Sequence, residues 1–244
     1  MRLTIKEFAR HSITRLGLSQ WYVRFRQARG VKVEHLLEPS LAGRFDKIYE
    51  KGIWKSDPVT GSRSGSGSDP ANTVTVQQKL PGLLQELGTS KLLDIGCGDF
   101  GWMKDVPLPC DYIGGDIVRS LIEENQVFAT PTRSFCFLDA TTDPLPDADT
   151  LLCREVMFHL SFHDNWRLIE NCRRSGAKYL IATTDGCIGF NADILSGDYR
   201  LLNLHGSPFK FPDPVAFIPD DLSSVQRQLA VWKISDLPAS PVRL

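Results

Sequence analysis

The sequence predicts an α/β protein, a Rossmann-like, doubly wound, mostly parallel sheet with an N-terminal helical extension, and three observations predict it. From residue 91 the apolar, β-type runs KLLDI, YIGGDIV, RSFCFLDA, TLLCREV and KYLIATT alternate with segments such as RSLIEENQ and LSFHDNWRLIENCRRSG. Short buried strands alternating with helices make a parallel sheet covered on both faces. The first run ends in GCGDFG, residues 96–101, which reads as a G-x-G-x-x-G turn after a strand. Asp116 follows about 20 residues on, where such a fold places a ribose-binding acid.

The elements before that sheet read in order. Residues 1–52 form a basic helical arm or cap, with eight Lys or Arg against two Glu in residues 1–34. Ile5, Phe8, Leu16, Trp21, Tyr22 and Phe25 are spaced as helix faces require. The arm reads either as a cap packed on the core or on a second subunit, or as a surface for acidic lipid or polyanionic glycan. A second helix runs from Ser40, an N-cap candidate, to Gly52. Residues 53–72 are rich in Gly, Ser, Pro and Asp and read as a lid loop carrying Trp54 and Arg63. TVTVQQKL and PGLLQELG then follow as helix, with Pro81 at a helix start. QLAVWKI is one more strand, and residues 185–224 before it are a long irregular insert of the kind that serves function.

Length and composition bound the classes. A chain of 244 residues is one generous domain or a domain with an appendage. A net charge of -1 argues against a nucleic-acid partner held by charge. Cys97, Cys110, Cys136, Cys153, Cys172 and Cys187 show no CxxC pairing or matching histidine cluster, so neither a disulfide framework nor a zinc site is expected. That cysteine usage points to a reducing, cytoplasmic setting. The start MRLTIKEFARHS breaks its apolar residues with charge and does not read as a signal peptide. No apolar run approaches the roughly 20 residues a bilayer requires.

Asp94 sits two residues before Gly96, at the end of the first strand. A carboxylate there would face the pyrophosphate of a dinucleotide; at about 4 Å and an effective dielectric near 20 that costs roughly 4 kcal/mol. The same carboxylate suits a ligand with a cationic amine and sulfonium and no phosphate, which is S-adenosylmethionine. Asp116 is placed for ribose hydroxyls and Asp139, in FLDA, for the adenine amino group; three acids at successive strand ends line one crevice.

LLDIGCGDFGWM, YIGGDIV, FLDA and TLLCREV resemble the motifs of class I S-adenosylmethionine-dependent methyltransferases, over about residues 73–235. The resemblance implies a seven-stranded sheet, a methyltransferase domain over 73–244 and a substrate loop over 185–224. It implies cofactor contacts from Asp94, Gly96, Cys97, Gly98, Phe100 and Trp102 in the first motif. Asp116 and Ile117, Asp139 and Ala140, and Arg154 supply the rest. Phe100 stands where the family has its third glycine. The C-G-D-F-x-W first motif, with NADILSGDYRLLNLHGSPFKFP downstream, is similar to a bacterial subset; that resemblance implies a methyltransferase of unsettled substrate, with glycan modification among the expectations.

Methyl transfer needs alignment and, for a hydroxyl nucleophile, a base. The fourth strand ends CREVMFHLSFHD; an N-P-P-Y segment is absent there, and Pro109-Cys110 precedes the second strand, so nucleic-acid methylation is not expected. His159 is the natural base by its pKa, or a structural residue; Glu155 is the second candidate, and His163 reads as a surface residue. Glu155 and Asp185 alone make a weak metal site, and none is expected. Asn191, Asp193, Arg200 and Asn203 lie among Phe209 and Phe211, which suits a sugar, or a loop stapled by its own hydrogen bonds. Arg63, Asn191, Arg200 and Asn203 are the candidate substrate contacts, with Arg200 foremost. The reading is O-methylation of a sugar or glycan hydroxyl. Its rivals are transfer to another small metabolite or protein side chain, a non-catalytic cofactor-binding module, and an oxidoreductase. Peripheral membrane contact or self-association through the arm is the further partner expectation.

Overall fold

The computed structural model describes residues 5–54, 62–220 and 226–241. Parts of the arm, lid and insert expected above lie outside the described residues. Three helices come first: α1 (Ile5–Arg15), α2 (Ser19–Ala28) and α3 (Leu41–Glu50). Ser40 caps α3, its hydroxyl accepting from the Gly43 amide at 3.0 Å. α4 (Pro70–Glu86) runs unbroken through Pro81, which the sequence placed at a helix start. The helix begins instead at Pro70, where a missing N–H costs nothing. Residues 70–72, read as lid, therefore belong to α4.

The sheet contains β1 (Lys91–Ile95), β2 (Asp111–Asp116), β3 (Arg133–Phe137), β4 (Thr150–Cys153), β5 (Tyr179–Asp185), β6 (Ala216–Pro219) and β7 (Arg227–Lys233), in the order β3-β2-β1-β4-β5-β7-β6. The pairs among β1–β5 are parallel, while β7 is antiparallel to both β5 and β6. The sheet is therefore mixed. β6 lies inside the segment read as irregular: Ala216 to Pro219 pair with β7, and Pro219 ends the sheet's edge strand, where a lost donor is tolerated.

Period-two alternation divides the core. Leu92, Leu152, Ile181 and Val231 face α4, packing against Val76, Leu80 and Leu84. Leu93, Leu151, Leu180 and Ala230 face the other way, onto α6 (Phe162–Arg174), α3 and the insert. α5 (Arg119–Asn125) serves both sides through Leu121 and Ile122. Four of the insert's apolar residues, Leu202, Leu204, Phe209 and Phe211, belong to the second core. Strand order reverses direction at β1 and β4, which opens a crevice at their carboxyl ends. All six cysteines are free, and among the described residues no helix is long and apolar enough to cross a membrane.

Candidate functional site

A cleft lies over that crevice, with about 730 Å³ of space between its walls, part of it open to solvent. Strand-end residues form its floor: Ile95 and Gly96 at the end of β1, Asp116 and Ile117 at the end of β2, Leu138 to Thr141 after β3, and Arg154 to Val156 after β4. Leu41, Phe45 and Tyr49 of α3 make one wall; Trp54, Ser64 and Ser68 come from the lid. His159 and Leu160 close the far end.

The glycine turn needs its glycines. Gly96 has φ +75°, and a Cβ there would stand 2.4 Å from the Val156 side chain. Gly98 has φ +58°, and its Cβ would stand 2.4 Å from Ser64 Oγ, which belongs to the lid. Asp116 holds the turn, accepting from the amides of Gly98 and Val118 at 2.9 Å each. Burial is the main reason its pKa is pushed up to about 6. Between the turn and β2 the chain makes only a three-residue 3₁₀ turn, Met103–Asp105, and no α-helix.

Asp94 does not line the cleft. Strand alternation turns it opposite to Ile95, toward α4, where it accepts from the Tyr112 hydroxyl at 2.8 Å. Burial first, offset by that bond, pushes its pKa up to about 7. Asp94 thus sits under the turn. Cys97, Phe100 and Trp102 also belong to the α4-side core, not to the cleft wall. Phe100 holds φ +54° with its ring edge-on to Phe135, so the left-handed geometry of the missing glycine is kept while the ring points into the core. Asp139 lines the cleft, but one carboxylate oxygen closes its own turn on the Thr141 amide and hydroxyl.

The end of the cleft after β4 carries a buried charge network. Arg154 donates to Asp220 at 3.0 Å and to the lid carbonyl of Gly67 at 2.8 Å, while its buried Nε finds no acceptor among the described residues. Arg227 bridges Asp220 and Glu155. Glu155 itself has φ +67°, a strained conformation for a residue with a Cβ, and its amide donates to Thr183 Oγ1 at 3.0 Å. His159 Nδ1 bonds the Asp198 carbonyl at 3.0 Å, which makes Nδ1 the donor and leaves Nε2 as the acceptor. Desolvation drives its pKa down to about 4, so the ring is neutral at pH 7. It packs 4.2 Å from Trp54. Arg10 and Arg26 of the arm clamp the Asp198 carboxylate from the other side.

The lid is bound to the turn. Asp99 Oδ2 accepts from Ser62 Oγ and from the Arg63 amide, both at 2.8 Å, and Ser64 Oγ accepts from the Asp99 amide at 3.0 Å. The Arg63 side chain points away from the cleft, pairing with Glu124 at 2.5 Å. The insert's polar residues are likewise engaged elsewhere. Arg200 is buried and donates to the carbonyls of Ala192, Met157, Phe158 and Leu160. Asn191 and Asn203 bond each other's chain segments, Nδ2 of Asn191 to the Asn203 carbonyl at 2.8 Å and the Asn203 amide to Oδ1 of Asn191 at 2.9 Å. None of the three lines the cleft, and Asp193 caps α6 by accepting from the Phe162 amide. The structural reading of the insert fits these contacts, because a long loop without helix must pair its own carbonyls. His163 is exposed on α6.

Tyr49, Ser64, Ser68, Thr141, Asp220, Arg227 and the tether Asp99 were not singled out in the sequence. Tyr49 stands four residues after Phe45, a helix-face spacing that could have flagged it. Asp220 and Arg227 carry no such signal; β6 and β7 bring them against Arg154 and Glu155, behind the cleft lining.

No family model matches the chain, and no curated protein does. Solved structures share the fold. The N-methyltransferase NodS from Bradyrhizobium japonicum WM9 is 16% identical, with 68% of this chain and 97% of that one covered, at a TM-score of 0.50. The methyltransferase domain of bacterial CtHen1 is 15% identical over 47% of this chain and 67% of its own, at 0.41. The [4+2]-cyclase SpnF is 16% identical over 59% and 60%, at 0.43. The likeness to NodS is one of fold.

Proposed function

We propose that this protein is an S-adenosylmethionine-dependent methyltransferase acting on a small acceptor, with a hydroxyl of a sugar or another polyhydroxylated molecule as the methylated group. One observation carries the cofactor class: the glycine turn leads into a 3₁₀ turn instead of an α-helix. A pyrophosphate would lack the helix N-terminus it needs and would lie over buried Asp94 and Asp116. A cationic ligand would instead favour the ionised form of both buried acids. The fold shared with NodS supports the same choice.

The residues fit that cofactor. Asp116 would take the ribose hydroxyls, and Ile117, Leu138 and Ala140 would enclose the adenine beside Asp139. The unpaired Nε of buried Arg154 suits the amino-acid carboxylate. Asp94 would act from beneath the turn as a field, without touching the ligand. When bound, the cofactor supplies an electrophilic methyl group.

The chain supplies alignment. Trp54 offers a flat apolar face, and Glu155 and His159 Nε2 offer acceptors for acceptor hydroxyls. With a pKa near 4, His159 is a poor proton store at pH 7 and serves to orient the nucleophile by accepting its hydrogen bond. Glu155, paired with Arg227, is the carboxylate that the chain offers to a donor hydroxyl here. Calorimetry tests the cofactor: adenosylhomocysteine should bind and NAD(P) should not, and the reverse preference rejects the reading. Turnover on a panel of glycosides tests the acceptor; Glu155→Gln should lower kcat far more than cofactor affinity.

A further inference from the structure

We propose that the exposed face of α2 and the turn before it dock this protein on an anionic lipid surface. Leu16 (72% exposed), Leu18 (49%), Trp21 (60%) and Phe25 (41%) stand out from an arm whose inner side is anchored by Val23 packing on Val33 and Leu36. Leu18, Trp21 and Phe25 follow the three- and four-residue spacing of one helix face, and the two rings stack at 5.6 Å. Arg15, Arg24, Arg29 and Lys32 are exposed around them, and no acidic residue occurs from 8 to 33. Arg10 and Arg26 are both turned to Asp198.

Charge selects the occupant. Residues 1–34 hold eight Lys or Arg and two Glu, leaving twenty Lys or Arg against twenty-seven acids in the rest of the chain. An anionic bilayer attracts the arm and repels the body, which sets one orientation. A two-fold dimer through the same face would set each cation cluster against its own copy. A nucleic acid has no use for the aliphatic Leu16 and Leu18, whereas Trp, Phe and Leu beside Arg are what a lipid headgroup boundary accepts.

Sedimentation of the full chain with phosphatidylcholine vesicles, with and without phosphatidylglycerol, tests this. Binding should require phosphatidylglycerol and weaken at high salt. Arg24→Gln with Arg29→Gln should weaken it by about fivefold for each cation removed. Trp21→Ala with Phe25→Ala should weaken it at least about tenfold, through lost apolar insertion. Thermal melting should be unchanged in both variants, since neither pair is buried. The proposal is overturned by absent binding to phosphatidylglycerol vesicles, by full binding of the aromatic variant, or by light scattering that shows a dimer which that variant dissolves. Preferential retention on RNA or DNA overturns it as well.

Discussion

The lid and the insert border the same end of the molecule and share a polar, glycine-bearing composition, yet the structure employs them in opposite ways. Residues 62–69 meet Asp99 through the Ser62 and Ser64 hydroxyls and the Arg63 amide, and keep Ser64 and Ser68 on the cleft. The insert turns its Asn and Arg side chains inward, and Arg200 satisfies four carbonyls with one guanidinium. The difference is hydrogen-bond demand. A short loop on the surface can meet its needs with a few side-chain contacts and still border the cleft, whereas a long one drawn over a hydrophobic core cannot bury its carbonyls without donors.

Removal of Arg200 should give the largest effect. Arg200→Ala strands those carbonyls and should cost about 4 kcal/mol in urea unfolding, with adenosylhomocysteine affinity of the folded fraction unchanged. A stable variant that fails only with acceptor would place Arg200 on the ligand and erase the contrast.

The pH limb sharpens the cleft side. His159 has a folded pKa near 4 against an ordinary 6.5, so the unfolded chain takes its proton first as pH falls. Its contribution is present above 6.5 and is lost between 6.5 and about 4, up to about 3 kcal/mol. His159→Gln should remove that loss when both proteins are melted across this window. A parallel pair of curves would show that the ring is not buried neutral.

Asp94 should behave in the reverse sense. Its folded pKa near 7 lies above the ordinary 3.8, so stability present below about 4 is lost as pH rises to 7. Asp94→Asn keeps an acceptor for Tyr112 and should stabilise the protein by about 2 kcal/mol at pH 8, with none of that gain at pH 4. The same change should weaken adenosylmethionine binding. Stability gained with affinity unaltered would remove Asp94 from the ligand's field.

The smallest stability change is expected at the tether. Asp99→Ala frees Ser62 and Arg63 from the glycine turn and should cost about 1 kcal/mol of stability. Ligand dissociation, followed by stopped flow, should quicken about tenfold. An unaltered off-rate would mean that the remaining contacts, Arg154 to the Gly67 carbonyl and the residue 99 amide and Tyr49 hydroxyl to Ser64, suffice to hold the lid.

Much of the fold was legible because its signals are local. KLLDI followed by GCGDFG specifies a strand, its turn and the residues that must lack a Cβ, and Ser40 announces a helix start. Asp116 was readable for the same reason, as a strand-end acid one βα unit on. Side-chain direction was less legible. Asp94, Phe100 and Trp102 sit in the right motif, but pleat and packing aim them at α4. Tyr49 and Ser64 come to the cleft from segments whose own sequences name no ligand.

By itself the sequence determined where the crevice lies and that acids border it, because apolar alternation, glycine turns and caps act over a few residues. Only the tertiary structure decided which polar groups remain free to meet a ligand. Arg154, Asp220, Arg227 and Glu155 form one network from segments up to 73 residues apart. Arg200 is withdrawn by carbonyls some 40 residues away in sequence. Whether a donor is spent depends on which acceptor the folded chain brings within 3 Å of it, and sequence spacing does not encode that distance.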